Sequence, residues 1–326
     1  MQARGKPTLG SDDFTAPNPS FGALLTYYLK DGYRTAKEER RKREAELQEQ
    51  GEDIPFPGWD ILQEEALERG AQLFLTIRDE DGNPVRRVAA PSSAGIHRVH
   101  WDLRRSPPNP IDLSIPGFVP PWAGSPQGPL AAPGRYTVEM AVVSAGGVTP
   151  LGDPQEFQVN AVPGSALPVS DFDSVTDFQT STSELLRQAQ GAAEEIRRAE
   201  ERLRYMHHAL VEAPQADVAL FTSLDQLESS LAELRLRLMG DRVRGRMNEA
   251  STPSILSRIG RVAGSHWDTR QTPTGTQVQS LDVARSAFAS LSNELGRFLS
   301  TDLPGLEAEL EAAGAPWTPG RALPPK

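Results

Sequence analysis

Glu194, Glu195, Glu200 and Glu201 put four carboxylates within a few helical turns, and carboxylates are the groups that general acid–base chemistry and hard-metal binding use. Arg197, Arg198, Arg202 and Arg204 alternate with them. All four acids lie off the apolar stripe of the same segment, so a solvated, ion-paired face accounts for them better than a carboxylate centre does. Asp79-Glu-Asp-Gly-Asn83 resembles the opening of a calcium loop. The bidentate Glu expected at the twelfth loop position is replaced by Ala90, and a tight hairpin with Asp-Gly at its tip explains the same residues. His97 and His100 lie three apart on an expected strand and face opposite sides, so they cannot share a metal. His207 and His208 diverge by ~100° on an expected helix, with no Glu-x-x-His to complete a di-metal site.

The nucleophile signals are weaker still. Ser, His and Asp are all present, but no Gly-x-Ser-x-Gly elbow, phosphate loop or Gly-x-Gly-x-x-Gly marks a site. His266-Trp-Asp-Thr-Arg270 is a polar and aromatic cluster in a linker, where packing of Trp267 is the expected role. Carbohydrate cleavage needs two carboxyls ~5–10 Å apart, and Asp102, Glu139 and Asp268 are the residues to inspect for such a pair. None of these constellations amounts to an active site. The reading therefore assigns no catalytic, cofactor-binding or metal-ligating residue and no cofactor.

The elements that would position these residues divide the chain of 326 residues into segments. Residues 1–35 read as an irregular lead-in, with one strand at Phe21–Leu29 that has no evident hairpin partner. A lone strand leaves backbone groups unpaired, so the expectation is that it completes a sheet outside this chain. Residues 36–70 hold a charged helix, Thr35 to Gln50, with Glu39–Arg43 and Glu38–Lys42 as its expected i,i+4 pairs. Trp59 follows it and is expected to pack on the sheets.

Residues 71–162 alternate apolar and polar residues in Leu73-Phe-Leu-Thr-Ile-Arg-Asp79, Val85-Arg-Arg-Val88, the run from Gly95, Pro133–Val142 and Val148–Val159, bounded by Gly, Pro, Asp and Asn. They predict a small antiparallel β-sandwich, with Val99, Trp101 and Leu103 on its core face. The Pro-rich stretch Ser106–Pro133 reads as an extended loop, a strap packed across a sheet edge in preference to a recognition surface. Residues 170–303 carry three seams: Leu185 to Leu210, Leu220 to Leu238 and Leu281 to Phe298, each spaced three and four apart. A shorter helix opens at Ser251-Thr-Pro-Ser and ends at Gly264. They predict an antiparallel bundle of three long helices and one short one, and residues 304–326 a Pro-rich tail. The fold class is α+β and multidomain.

A net charge of −10 argues against nucleic acid, whose binding neutralises phosphates, although a local basic run escapes that argument. The chain has no cysteine, which excludes disulfides and thiolate metal sites. No apolar run approaches the roughly 20 residues of a membrane span, and no signal peptide is visible at the N-terminus. Self-association through the helical seams is a further expectation.

Several strings, taken together, carry a family resemblance. They are Thr15-Ala-Pro-Asn-Pro-Ser-Phe-Gly-Ala23, Thr26-Tyr-Tyr-Leu29, Gly95-Ile-His-Arg-Val-His-Trp-Asp-Leu-Arg104, Gly128-Pro-Leu-Ala-Ala-Pro-Gly-Arg-Tyr-Thr-Val138, Pro273-Thr-Gly-Thr-Gln277 and Ala313-Gly-Ala-Pro-Trp-Thr-Pro319. They resemble the C-terminal region of large bacterial proteins with BNR-type, sialidase- and sortilin-like β-propellers, which are often labelled glycosyl hydrolases. The Gly-x-His-x-Val-x-Trp-Asp string also resembles the Ig-like module of flagellar hook-capping proteins, a likeness of fold more than of function.

Members of the propeller family carry an export signal and Asp-boxes of the Ser-x-Asp-x-Gly-x-Thr-Trp kind, and this sequence contains neither. The resemblance therefore implies that Met1 is internal to a longer or split exported protein, and that a β-propeller in cis or on a separate chain is the partner. It carries over no catalytic residue. The function it implies is a non-catalytic accessory module, with a glycoside hydrolase site at the sandwich–bundle junction or in the missing propeller as the alternative.

Overall fold

The computed structural model describes residues 20–114, 117–144, 147–162 and 171–322, and the expectations for residues 1–19 and for the last four residues lie outside them. The elements in chain order are β1 (Ala23–Leu29), α1 (Ala36–Gln50), α2 (Trp59–Leu67), β2 (Gln72–Arg78), β3 (Pro84–Ala90), β4 (Gly95–Trp101), β5 (Gly134–Ser144), β6 (Gly147–Pro150) and β7 (Gln155–Val159). The helices α3 (Phe172–Val211), α4 (Ala219–Met239), α5 (Arg242–Arg246), α6 (Ile255–His266), α7 (Gly275–Arg297) and α8 (Leu303–Ala312) follow, the last two joined by a π turn at Phe298–Asp302. The chain is thus mixed α and β with antiparallel sheets, and it divides into two compact units. One comprises the chain up to Arg104 and then Gly134–Val159; the other comprises Arg105–Pro133 and the chain from Asn160 onward.

In the first unit β2 pairs with β3 and β5, and β5 pairs along its length with β6 and β7, all antiparallel. The period-2 pattern sends Leu73, Leu75 and Ile77 of β2 and Tyr136 and Val142 of β5 to one buried face. The β2–β3 hairpin closes at Asp79–Asn83, where Gly82 takes the left-handed backbone (φ 80°) that the turn requires.

β1 pairs with β4 in an antiparallel register, Ala23 opposite Trp101 and Leu29 opposite Gly95. This corrects the expectation of a strand without a partner in its own chain. Its partner is the third strand after it in sequence, reached across two helices and a hairpin, so local hairpin logic does not find it. Trp101, fully buried, meets Tyr136 at 5.4 Å and Phe157 at 6.0 Å between ring centroids, so the β1–β4 ribbon packs on the larger sheet through aromatic edges. Gly22 passes directly beneath it with φ 131°, where a Cβ would sit 2.0 Å from the Trp101 carbonyl oxygen. β4 ends at Trp101, and Leu103 turns away with φ 55°, so it does not extend the core face as expected.

α1 begins at a complete capping box, Thr35 with Glu38. Its ion pairs are Arg40–Glu44 and Lys42–Glu46 rather than the two expected, because Arg40 turns toward α2. There Glu65, itself buried, accepts with both carboxylate oxygens from the Nε and Nη2 edge of the Arg40 guanidinium, each at 2.7 Å. The same guanidinium holds the Glu65 carboxyl below its usual range. Trp59 does not pack on the sheets: it is 75% exposed and meets Phe56 alone among rings, at 5.2 Å.

In the second unit the seam residues become a single core that includes Ile196, Leu203, Leu231, Leu238, Leu281 and Leu291. The helices align as three rods. His207 lies beside Phe221 and Glu200 beside Arg235, so α4 runs back along the second half of α3. α6 continues in the same direction along its first half, with His266 at Gln179. Ser181–Arg285 and Arg202–Glu307 contacts show that α7 and α8 together run parallel to α3 over most of its length, a rod of ~60 Å.

Two boundaries differ from expectation. Arg105–Pro133 belongs to the helical unit, where Leu130 N–H donates to the Trp267 carbonyl, and so is not a sheet-edge strap. Residues 304–322 are not a loose tail. After the π turn Leu303, Leu306 and Leu310 rejoin the core, and Arg321, buried, donates to the carbonyls of Ala315 and Pro316 and pairs with Glu311 at 2.7 Å.

Candidate functional site

The clearest concavity in the sheet unit lies along β1. Of its two edges one pairs with β4, and among the described residues nothing pairs with the other. A trough of about 360 Å³ runs beside that open edge, lined by Leu24 to Tyr27, by Leu75, Val138 and Met140 on the floor, and by Leu151 to Phe157 on the far wall. No β4 residue lines it, which places it on the unpaired side of β1.

The trough exists because a two-stranded ribbon covers a wider sheet. Inward-facing positions of β5 that lie beyond the ribbon, Val138 and Met140, are only half buried, whereas Tyr136 and Val142 on the same face are closed over. Asp153 is exposed on the far wall, whereas Glu156, opposite Thr137 in the register, belongs to the outer face of the sheet; no basic side chain lines the trough. The arrangement offers unpaired backbone groups, an apolar floor and one carboxylate, Asp153, on the rim. An open strand edge over an apolar floor is the geometry by which an extended chain is taken up through strand addition.

The residues singled out for chemistry are otherwise employed. The Asp79 carboxylate accepts the Asn83 N–H at 2.8 Å inside the hairpin turn, a structural use of the apparent calcium loop. His97 contacts the Ser93 carbonyl at 2.7 Å and the Tyr27 ring at 5.3 Å, while His100 points to the other face of β4. Asp102 accepts the Arg104 N–H at 3.1 Å, and Glu139 pairs with Arg78 at 2.9 Å on the outer face of the sheet. Asp268 belongs to the other unit.

Glu194 and Glu195 pair with Arg197 and Arg198, Glu201 lies 3.8 Å from Arg197, and Glu200 reaches α4 at Arg235, so the four acids form a surface ion-pair ladder. The nearby guanidiniums hold the Glu194 carboxyl below its usual range. His207 and His208 are both exposed, their rings 6.0 Å apart and near perpendicular. Among the described residues no group of three His, Asp or Glu side chains is placed to hold a metal ion.

The cluster at His266–Arg270 is more than packing around Trp267. His266 is buried, and its Nε2–H donates to the Gln271 carbonyl at 2.8 Å. That fixes Nδ1 as the acceptor for the Gln179 amide at 3.2 Å. Burial first, and then the Arg270 charge, push the imidazole below its ordinary pKa, against the hydrogen bond to Gln271. Arg270 donates to Gln179 Oε1, Thr176 Oγ1 and the carbonyls of Leu130 and Phe172, and stacks over the Phe172 ring. Every one of these contacts ties protein to protein, so the cluster is a clamp. Sequence reasoning missed Gln179 and Thr182 because a polar residue on an unseamed helical turn gives no signal that it is buried.

The helical unit also holds a cleft of about 490 Å³ where α4 breaks off before α6. No family model, no curated protein and no solved structure matches this chain.

Proposed function

We infer that the chain is a non-catalytic accessory module or subunit of an exported BNR/sortilin-like β-propeller protein, built as an Ig-like sandwich followed by an antiparallel helical bundle. The observation that carries the reading is the open edge of β1 beside an apolar trough. An edge strand of this kind is a template for another strand, and natural proteins usually cover or charge it. Here Ala23 to Leu29 contains no charged side chain and no Pro, and Leu24 and Tyr28 are 59% and 65% exposed. The occupant is an extended segment of the propeller protein, apolar at alternate positions to meet Leu75, Val138 and Met140, and basic at its flank to meet Asp153. The family strings in the sequence support the propeller as the source of that segment.

The test uses the whole chain as bait in extracts of its native source, read by mass spectrometry. A propeller-containing chain, or one longer polypeptide that includes this sequence, is the expected prey. Leu24→Asp places a charge on the rim without touching the core, and it should abolish the capture while the far-UV spectrum stays unchanged. Recovery of the chain alone would overturn the reading, and so would capture indifferent to Leu24→Asp.

A further inference from the structure

The cleft at the α4–α6 break is a separate feature of the helical unit. Its origin is a gap in the middle rod. α4 stops at Met239, Gly240 leaves the helix at φ 93°, and the next long helical segment begins at Ile255. The five-residue α5 and the loop that follows it do not fill the space, so the α7 face opposite the gap is left bare. Val283 is 45% exposed there, and Leu236 at the end of α4 is 49% exposed, although both sit at the edge of the helical core. Together with Pro253, Ile255 and Ala287 they form the apolar wall of the 490 Å³ cleft, a size suited to a small molecule.

The rest of the lining is cationic and hydroxylic: Arg237, Arg244, Arg258, Ser251 and Thr252, with Asp241 as its single carboxylate. Two of these charges are already matched. Arg237 is held by Glu294 through both nitrogens, and the same pairing draws the Glu294 carboxyl down to about 2. Asp241 is occupied at the start of α5, where its Oδ1 accepts the Val243 and Arg244 N–H groups, and it lies 3.6 Å from the Arg244 guanidinium. Arg258 has no carboxylate within ion-pairing distance among the described residues, and it is half buried. From Gly240 to Arg261 the chain holds Arg242, Arg244, Arg246, Arg258 and Arg261 against only Asp241 and Glu249, so a chain of net charge −10 has a local cationic excess here.

We propose that this cleft binds a small amphiphilic carboxylate, its apolar body against Leu236, Val283 and Ala287 and its head on Arg258 and Arg244. A guanidinium matches a carboxylate edge to edge and cannot lose its charge near neutral pH, so it discriminates the anion from a neutral analogue of the same length. A purely apolar ligand would leave Arg258 without a counter-charge. A hydrophilic anion would leave the Val283 face wet.

The experiment titrates the full chain with sodium decanoate, kept monomeric, by isothermal calorimetry, with decanol as the neutral comparator. Saturable binding at one site is expected for decanoate, with decanol at least tenfold weaker. Arg258→Glu should weaken decanoate about tenfold or more and leave decanol unchanged. Ala287→Trp, which fills the cleft from an exposed position, should abolish both while thermal melting confirms the fold. Equal affinity for decanoate and decanol, or decanoate binding indifferent to both variants, would overturn the proposal. Binding confined to vesicles of phosphatidylcholine and phosphatidylglycerol, with none to monomeric decanoate, would overturn it as well and assign the arginines to a bilayer surface.

Discussion

At Arg270 one side chain donates to Leu130, Gln179, Phe172 and Thr176, and so ties its own stretch of chain to two others far away in sequence. Arg270→Ala removes donors from partners that are themselves partly or wholly buried, and should cost the helical unit about 2 kcal/mol in urea denaturation. Its neighbour His266 adds a dependence on pH. The folded imidazole has a pKa below the ordinary 6.5, so the unfolded chain binds the proton first as pH falls. The stability is therefore complete above pH 6.5 and drains away below it, by at most about 1.4 kcal/mol per pH unit. A protonated ring would also turn Nδ1 into a donor facing the Gln179 amide donor. Urea midpoints measured from pH 7.5 to 5 should fall in the wild type and flatten in His266→Gln. A His266→Gln profile as steep as the wild type would show that another group titrates.

Elements with strong periodicity were legible in the sequence, and those defined by partners far along the chain were not. Strand alternation from Leu73 onward located β2 to β5, and the seams through Ile196, Leu231 and Leu291 located the long helices, because burial of one face is a local constraint on residue type. The pairing of β1 with β4 escaped because register across two intervening helices leaves no local trace. α8 escaped for a different reason. The π turn at Phe298–Asp302 lengthens one interval of the seam from Phe298 to Leu303, and Pro304 reads as a terminator although it stands at the tolerated start of a helix. Of the candidate site, the apolar residues and an unpaired strand were visible, but not that β4 takes one edge of β1 and leaves the other open over the wider sheet.

α1 shows what such an element depends on. It buries no residue of its own, and it meets α2 through the Arg40–Glu65 pair. Arg40→Ala should speed amide exchange severalfold across Ala36–Gln50 and leave β2 and β5 protected, as hydrogen–deuterium exchange would register. Protection of α1 undiminished in that variant would mean that its capping box alone holds it.

Across the whole molecule the chain leaves the sheet unit at Arg104, contributes Arg105–Pro133 to the helical unit, and returns at Gly134 to form β5. A connection between consecutive elements of a compact unit is ordinarily short. This one is long, and it is buried at Gly128 and Pro129, where its end folds back on its start and the Arg105 N–H donates to the Pro129 carbonyl. A Cβ on Gly128 would sit 2.3 Å from the Arg105 carbonyl oxygen, and Leu130 is fixed by Trp267 and Arg270. Pro110 lines a second cavity with Gln190, Ile196 and Arg235 of α3 and α4. The segment is thus a covering layer of the helical core, supplied by the chain of the sheet unit. Replacing Ser106–Ala132 with a flexible Gly/Ser linker of equal length keeps β4 and β5 connected at the same loop-closure entropy. It should lower the melting temperature of the helical unit by several degrees while exchange protection of β2, β4 and β5 stays as in the wild type. Loss of protection in those strands, with the helices unaffected, would instead make the segment part of the sheet unit's own stability.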